Sequence, residues 1–322
     1  MLPDRSWGAV LRVDRPAPNL HSVSESRVAV LGGTGFVGSR LWPRLMATGD
    51  DVVLGSRRAP LGAPAGVRHL VCDLDSGAGL DAVLEGARCA YYLVHGMAGG
   101  DGFEERERGA AQNFLAAARR QGVGRVIYLG GLYPEGDLSE HLESRRLVGR
   151  MLVDGAGALA VRAGVVVGAG GASFEILHGL CRRLPLMLAP RWLASRCQPI
   201  GIDDAVEALA RAEAVPGARE IDLVGPDVLS YREMLEITGT ELKGRRPVMF
   251  PVPLLSPELS AHWLRFVTRV DMSVAHSLVA SLRHDMVSTG PSLTAELGIR
   301  PAGFAETVRT ALAARSRPLG PA

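Results

Sequence analysis

Seven residues, Gly32-Gly33-Thr34-Gly35-Phe36-Val37-Gly38, set glycines three apart immediately after the apolar run Arg27 to Leu31. Glycines at this spacing permit a tight turn and bring backbone N–H groups against a pyrophosphate at a helix N-terminus. A glycine-rich turn alone is weak, because a purely structural strand–helix turn uses the same residues. Here a short apolar run stops at the glycines, as a buried parallel strand does. Val37, Leu41 and Leu45 then recur at helical spacing. That context predicts a dinucleotide site on Gly32, Thr34, Gly35, Phe36, Val37 and Gly38.

The end of the next strand sets which dinucleotide. An NAD(H) site places Asp or Glu there to bond the adenosine ribose. This chain reads Gly55-Ser56-Arg57-Arg58 instead. A hydroxyl and two guanidinium forks suit a 2′-phosphate, which a carboxylate would repel. NADP(H) is therefore expected, with NAD(H) second. Asp50 and Asp51 stand at the wrong end of that strand for this task. Asp73 and Leu74 close the third strand, where the adenine lies in such folds. Val94 and His95 close the fourth, beside the cofactor ribose.

These groups need a scaffold, and the chain alternates accordingly. Strands are expected at Arg27 to Leu31, Val52 to Leu54, His69 to Cys72, Ala90 to Val94, Arg125 to Leu129 and from Leu159. Helices are expected over Val37 to Ala47 (despite Pro43), Leu80 to Glu85, from the Asp101-x-x-Glu104 box, and from the Asp137-x-x-Glu140 box to about Val153. Strand–helix alternation without hairpin turns predicts a Rossmann-type α/β fold, a doubly wound parallel sheet. Later come helices at Ser173 to Arg183 and Asp203 to Ala212, a strand at Glu220 to Val224, and a helix capped by Ser230-x-x-Glu233. Pro247 to Pro253 is extended, and Pro257 to Thr268 and Ser273 to Arg283 are helical. The expected division is a leader at 1–26, a dinucleotide-binding core at 27–172 and 199–225, and a small, mostly helical C-terminal substrate lobe at 173–198 and 226–322.

Composition narrows the partners. The 322 residues are 47% hydrophobic with net charge +2, and no basic stripe for nucleic acid appears. Lys243 is the single lysine. Cys72, Cys89, Cys181 and Cys197 have neither C-x-x-C nor metal-ligand spacing and read as buried thiols in a reducing, cytoplasmic setting. No metal is expected. No uncharged apolar stretch reaches the length of a membrane span, and residues 1–25 do not read as a secretory signal. A monomer and a homodimer are both compatible.

Six segments in order resemble the atypical short-chain dehydrogenase/reductases, the NmrA-like and NAD(P)H-binding group: VLGGTGFVGSRL, AYYLVHGM, IYLGGL, LSEHLESRRLVG, PRWLASRCQPIGIDDA and SLRHDMV, between Arg27 and about Val287. The wider superfamily works with a Ser or Thr after the fifth strand and a Tyr-x-x-x-Lys pair on the following helix. This chain departs from both. Gly130 and Gly131 replace the hydroxyl residue, and the helix pair reads His141-x-x-x-Arg145. Those two positions share a helical face. Arg145 can bond ribose hydroxyls but stays protonated, whereas His141 can shuttle a proton. Tyr133 is a second proton donor to weigh, and His95 has similar standing. The resemblance also implies cofactor contacts from Gly130, Arg145, Gly164 and Val165. His178, His262, His276 and His284 form no metal pair and read as lobe residues, while Trp192, Trp263 and Phe266 could line an apolar pocket. The function expected is an NADPH-dependent oxidoreductase passing hydride to a C=O or activated C=C of a small hydrophobic substrate. A non-catalytic NADP-binding regulator and an NAD(P)-dependent epimerase or isomerase are the alternatives.

Overall fold

The computed structural model describes residues 24–58, 66–94, 102–133, 140–184, 186–252 and 284–316. His95, segments 257–268 and 273–283, and the side chains of His141 and Trp192 lie outside what is described.

The first half alternates as its sequence does: β1 (Ser24–Leu31), α1 (Gly38–Ala47), β2 (Asp51–Ser56), β3 (Arg68–Val71), α2 (Leu80–Leu84), β4 (Ala87–Tyr92), α3 (Phe103–Gln121), β5 (Arg125–Gly131), α4 (Glu140–Ala156) and β6 (Leu159–Ala163). Then come β7 (Val166–Val167), α5 (Ala172–Arg183), β8 (Leu186–Pro190), β9 (Arg196–Cys197), β10 (Ile200–Gly201), α6 (Ile202–Arg211), β11 (Arg219–Leu223), β12 (Leu229–Ser230), α7 (Tyr231–Lys243) and β13 (Val248–Val252). The described chain closes with α8 (Leu293–Glu296) and α9 (Phe304–Ser316).

Seven strands form one parallel sheet in the order β11-β6-β5-β4-β1-β2-β3. This is a Rossmann-type sheet whose order reverses beside β1. β1 is apolar throughout its buried length because both its faces are covered. Val28 and Val30 face a core shared with α1 and α6, while Ala29 and Leu31 face one shared with α2, α3 and α4. Buried tyrosines find partners within these layers: Tyr91 donates to the Leu209 carbonyl at 2.9 Å, and Tyr92 meets Phe114 edge-on at 5.1 Å. Pro43 sits inside α1 without ending it.

A third core gathers α5, α7, α9, β8 and β13 around Phe174, Met187, Met234 and Val308. His178 is buried there and stacks on Phe174 at 5.9 Å, the packing role its sequence suggested. Ser230 caps α7 as expected: its Oγ accepts from the Glu233 N–H at 3.2 Å, and its own N–H donates back to Glu233 Oε2 at 2.7 Å. The Asp101-x-x-Glu104 reading is corrected, since α3 starts from Gly102 in a left-handed conformation (φ 74°) with no side-chain cap. β8 and the two-residue strands β7, β9, β10 and β12 were not foreseen. Their pairings are tertiary, and runs this short carry no period.

Candidate functional site

The glycine turn follows β1 at the C-terminal edge of the sheet, beside the reversal in strand order. Gly32 takes φ +86°, and its N–H donates to the Gly55 carbonyl at 3.1 Å. A Cβ on Gly38 would stand 2.2 Å from the Gly32 carbonyl oxygen, so no other residue fits that helix start. Among the described residues no acceptor takes the backbone N–H groups of Thr34, Phe36, Val37 or Gly38. α1 has no side-chain cap to satisfy them either. A helix N-terminus with open donors is an anion cradle. The Phe36 ring backs the turn, lying against Gly168 and Gly171 under the Arg40 guanidinium at 4.6 Å. Arg40 donates to the carbonyls of Phe36 (2.8 Å) and Ala169 (2.6 Å), which ties the turn to the segment after β7.

At the end of β2, Ser56 Oγ donates to the Arg58 carbonyl at 2.7 Å and lies 2.8 Å from His69 Nε2. Arg57 and Arg58 are exposed and form no ion pair among the described residues. The acids of this strand are spent at its other end. Asp51 binds Arg27 and Arg68, both at 3.1 Å, and Asp50 binds Arg88 at 3.0 Å. Asp73 uses its carboxylate locally, accepting from the Asp75 N–H (3.0 Å) and Ser76 Oγ (3.2 Å). Leu74 is buried against the α3 face. Val94 lies against the turn, with its Cγ2 3.2 Å from where a Gly32 Cβ would be.

At the end of β5 the two glycines have separate steric reasons. A Cβ on Gly130 would meet the Tyr128 ring at 2.9 Å, and one on Gly131 would meet Arg145 Nη1 at 3.0 Å. Arg145, reaching from α4, thus lies over Gly131. Its Nε is buried with no acceptor among the described residues. Burial holds the guanidinium below its ordinary range, because little surrounds it that favours the charge. His141 stands one helical turn earlier on α4.

Tyr133 is engaged elsewhere. Its ring covers the Arg162 guanidinium at 5.0 Å, and burial with a hydrogen bond to Glu220 pushes the phenol up to about 12. Arg162 in turn donates to Asp222 (2.6 Å) and Glu220 (3.2 Å), and Ser288 Oγ donates to Asp222 (2.7 Å). This network was missed in the sequence, since Arg162, Glu220 and Asp222 look like unrelated charges until β6 and β11 pair. Gly164 does permit a close backbone approach, but it is to the Gln198 carbonyl, 2.1 Å from a Cβ at 164. Val165 packs towards the third core. All four cysteines are free and buried; burial raises the Cys72 thiol to about 11 and those of Cys181 and Cys197 to about 12. Among the described residues no His, Cys, Asp and Glu cluster could hold a metal, and no helix is long and apolar enough to cross a membrane.

Residues 28–147 match the model of the NAD dependent epimerase/dehydratase family. The dTDP-6-deoxy-L-talose 4-dehydrogenase (NAD(P)(+)) of Kitasatospora kifunensis is 35% identical over 119 residues, 34% of this chain and 37% of that protein. An uncharacterized Mycobacterium tuberculosis protein is 26% identical over 260 residues, 78% of this chain. The match spans only 26% of that relative's length. Among solved structures, MoeE5 in complex with UDP-glucuronic acid and NAD superposes with a TM-score of 0.67 at 21% identity, covering 89% of this chain and 98% of that one. UDP-glucose 4-epimerase from Thermotoga maritima, solved with UDP-glucose, gives 0.69 at 13% identity, covering 89% and 97%. At these identities the likeness establishes the fold.

Proposed function

We propose that the chain, whose residues 28–147 match the model of the NAD dependent epimerase/dehydratase family, is an NADPH-dependent reductase acting on a C=O or activated C=C of a small hydrophobic molecule. The observation that carries the reading is the sheet edge itself. A cradle of open N–H groups at Thr34, Phe36, Val37 and Gly38 is followed, at the end of β2, by two unpaired arginines and no carboxylate.

Each residue has a task in this reading. The turn from Gly32 to Gly38 holds the pyrophosphate, and Ser56, Arg57 and Arg58 hold the 2′-phosphate. Leu74 and Asp73 shape the adenine end, and Val94 and His95 lie beside the ribose. Arg145, over Gly131, donates to the ribose hydroxyls. When bound, the nicotinamide supplies the hydride. His141, one turn before Arg145, delivers the proton to the substrate atom that becomes electron-rich. Tyr133 is the poorer acid of the two, since its phenol is raised to about 12 and tied to Glu220.

That same commitment of Tyr133 favours a second reading, a regulator that binds NADP without turnover. The test begins with nicotinamide-fluorescence titrations of NADPH and NADH on wild type and on Arg57→Ala/Arg58→Ala. Tight NADPH binding that loses its preference in the variant establishes the cofactor, and oxidation of NADPH by carbonyl or enone substrates then separates reductase from regulator. If neither nucleotide binds, the glycine turn is structural and both readings fall.

A further inference from the structure

We propose that the outward face of the β8–β13 ribbon docks on an anionic lipid surface. The two strands run parallel, with Leu186 beside Val248 and Leu188 beside Phe250. Alternation sends Met187, Ala189 and Met249 into the third core. It leaves Leu186, Leu188, Val248 and Phe250 together on the other face, 49%, 46%, 50% and 51% exposed. Four large apolar side chains adjoining on one small ribbon form a patch of the kind that marks a binding surface.

Charge indicates what covers it. Because the strands are parallel, both begin at the same end of the ribbon. Arg182 and Arg183 precede β8, and Lys243, Arg245 and Arg246 precede β13. All five are exposed, and no acidic residue occurs in 181–191 or 243–252. Lys243, Arg245, Arg246 and Val248 line a single cleft, so cations and apolar face adjoin directly. Arg246 is paired to Glu236 at 3.3 Å, and the Lys243 ammonium donates to the Arg182 carbonyl at 3.0 Å. The guanidinium groups of Arg182, Arg183 and Arg245 have no ion-pair partner among the described residues.

An apolar face with cations at its border matches the two layers of a bilayer interface, acyl boundary and anionic headgroups. The outward side chains carry no hydrogen-bonding group that a polar protein partner would answer. Each cation near such a surface is worth roughly fivefold in partitioning, so removing the three unpaired ones predicts a loss on the order of a hundredfold. Docking here does not depend on catalysis.

The test is co-sedimentation of the full chain with vesicles of phosphatidylcholine alone and of phosphatidylcholine containing phosphatidylglycerol, at low and raised salt. Variants Arg182→Ala/Arg183→Ala/Arg245→Ala and Leu188→Ser/Phe250→Ser are compared with wild type, and thermal melting reports their folding. Binding to phosphatidylglycerol vesicles that weakens with salt and is lost in both variants is the expected result. Should the serine variant unfold, the arginine variant, whose changes are all at exposed side chains, carries the test. No binding to phosphatidylglycerol vesicles, or binding indifferent to the substitutions, overturns the proposal. So does a dimer in light scattering that dissociates on Leu188→Ser/Phe250→Ser, which would assign the face to a second copy.

Discussion

Gly131→Ala isolates what Arg145 does. The new methyl would stand 3.0 Å from Arg145 Nη1, the far end of a flexible side chain, and would touch no backbone. The guanidinium must give by a few tenths of an ångström, so folding should lose less than about 1 kcal/mol. If Arg145 holds the ribose, that displacement loosens a charge-assisted hydrogen bond worth about 1.5–3 kcal/mol. At 1.4 kcal/mol per decade, full loss raises the NADPH Kd by roughly ten- to a hundredfold. Arg145→Ala should reach that limit and Gly131→Ala approach it. Gly130→Ala is the control with the opposite profile: its methyl would meet the Tyr128 ring at 2.9 Å inside the core, and overpacking there costs about 1–3 kcal/mol. Fluorescence titration reads the affinities and urea unfolding the stabilities. An NADPH Kd unchanged within twofold in both Gly131→Ala and Arg145→Ala would refute the placement of Arg145 at the cofactor.

Other outcomes follow from the same geometry. Arg57→Ala/Arg58→Ala should raise the NADPH Kd on the order of a hundredfold and leave NADH within a few-fold, measured by the same titration. Asp222→Ala should cost about 3 kcal/mol in urea unfolding, because Asp222 is 1% exposed and its loss leaves Arg162 with Glu220 as its one carboxylate partner among the described residues and Ser288 Oγ without its carboxylate acceptor; Arg162→Met/Asp222→Leu should recover more than half of that. Burial lowers the folded-state pKa of His178 and of His69 below their ordinary 6.5. The unfolded chain therefore binds protons first, and stability present above pH 6.5 falls as pH drops below it; melting from pH 7.5 to 5 should show this, with a shallower slope in His178→Gln. The buried, raised thiols should resist a thiol reagent at pH 8 in the folded protein and react in denaturant.

Much of the scaffold was readable because it is local. A strand buried on both faces must be apolar along its length, as Val28 to Leu31 is, and a turn against phosphate must have glycine where Gly38 meets the Gly32 carbonyl. The reading of the β2 end rests on the same locality, since Arg57 and Arg58 directly follow the strand that presents them. What escaped depends on distant segments meeting. β8 carries no period of its own and takes its shape only when β13 pairs with it, and Tyr133 looks available until β6 and β11 bring Arg162 and Glu220 to it. The His141-x-x-x-Arg145 pair lies between these cases. Its spacing is local, and it shows that the Tyr-x-x-x-Lys chemistry is missing. The fold adds a contact between positions 131 and 145: a Cβ at 131 would stand 3.0 Å from Arg145 Nη1, so a side chain larger than glycine's at 131 would crowd that guanidinium. Gly131→Ser should therefore displace Arg145, weaken NADPH binding in the fluorescence titration and confer no added turnover, because no lysine stands on α4.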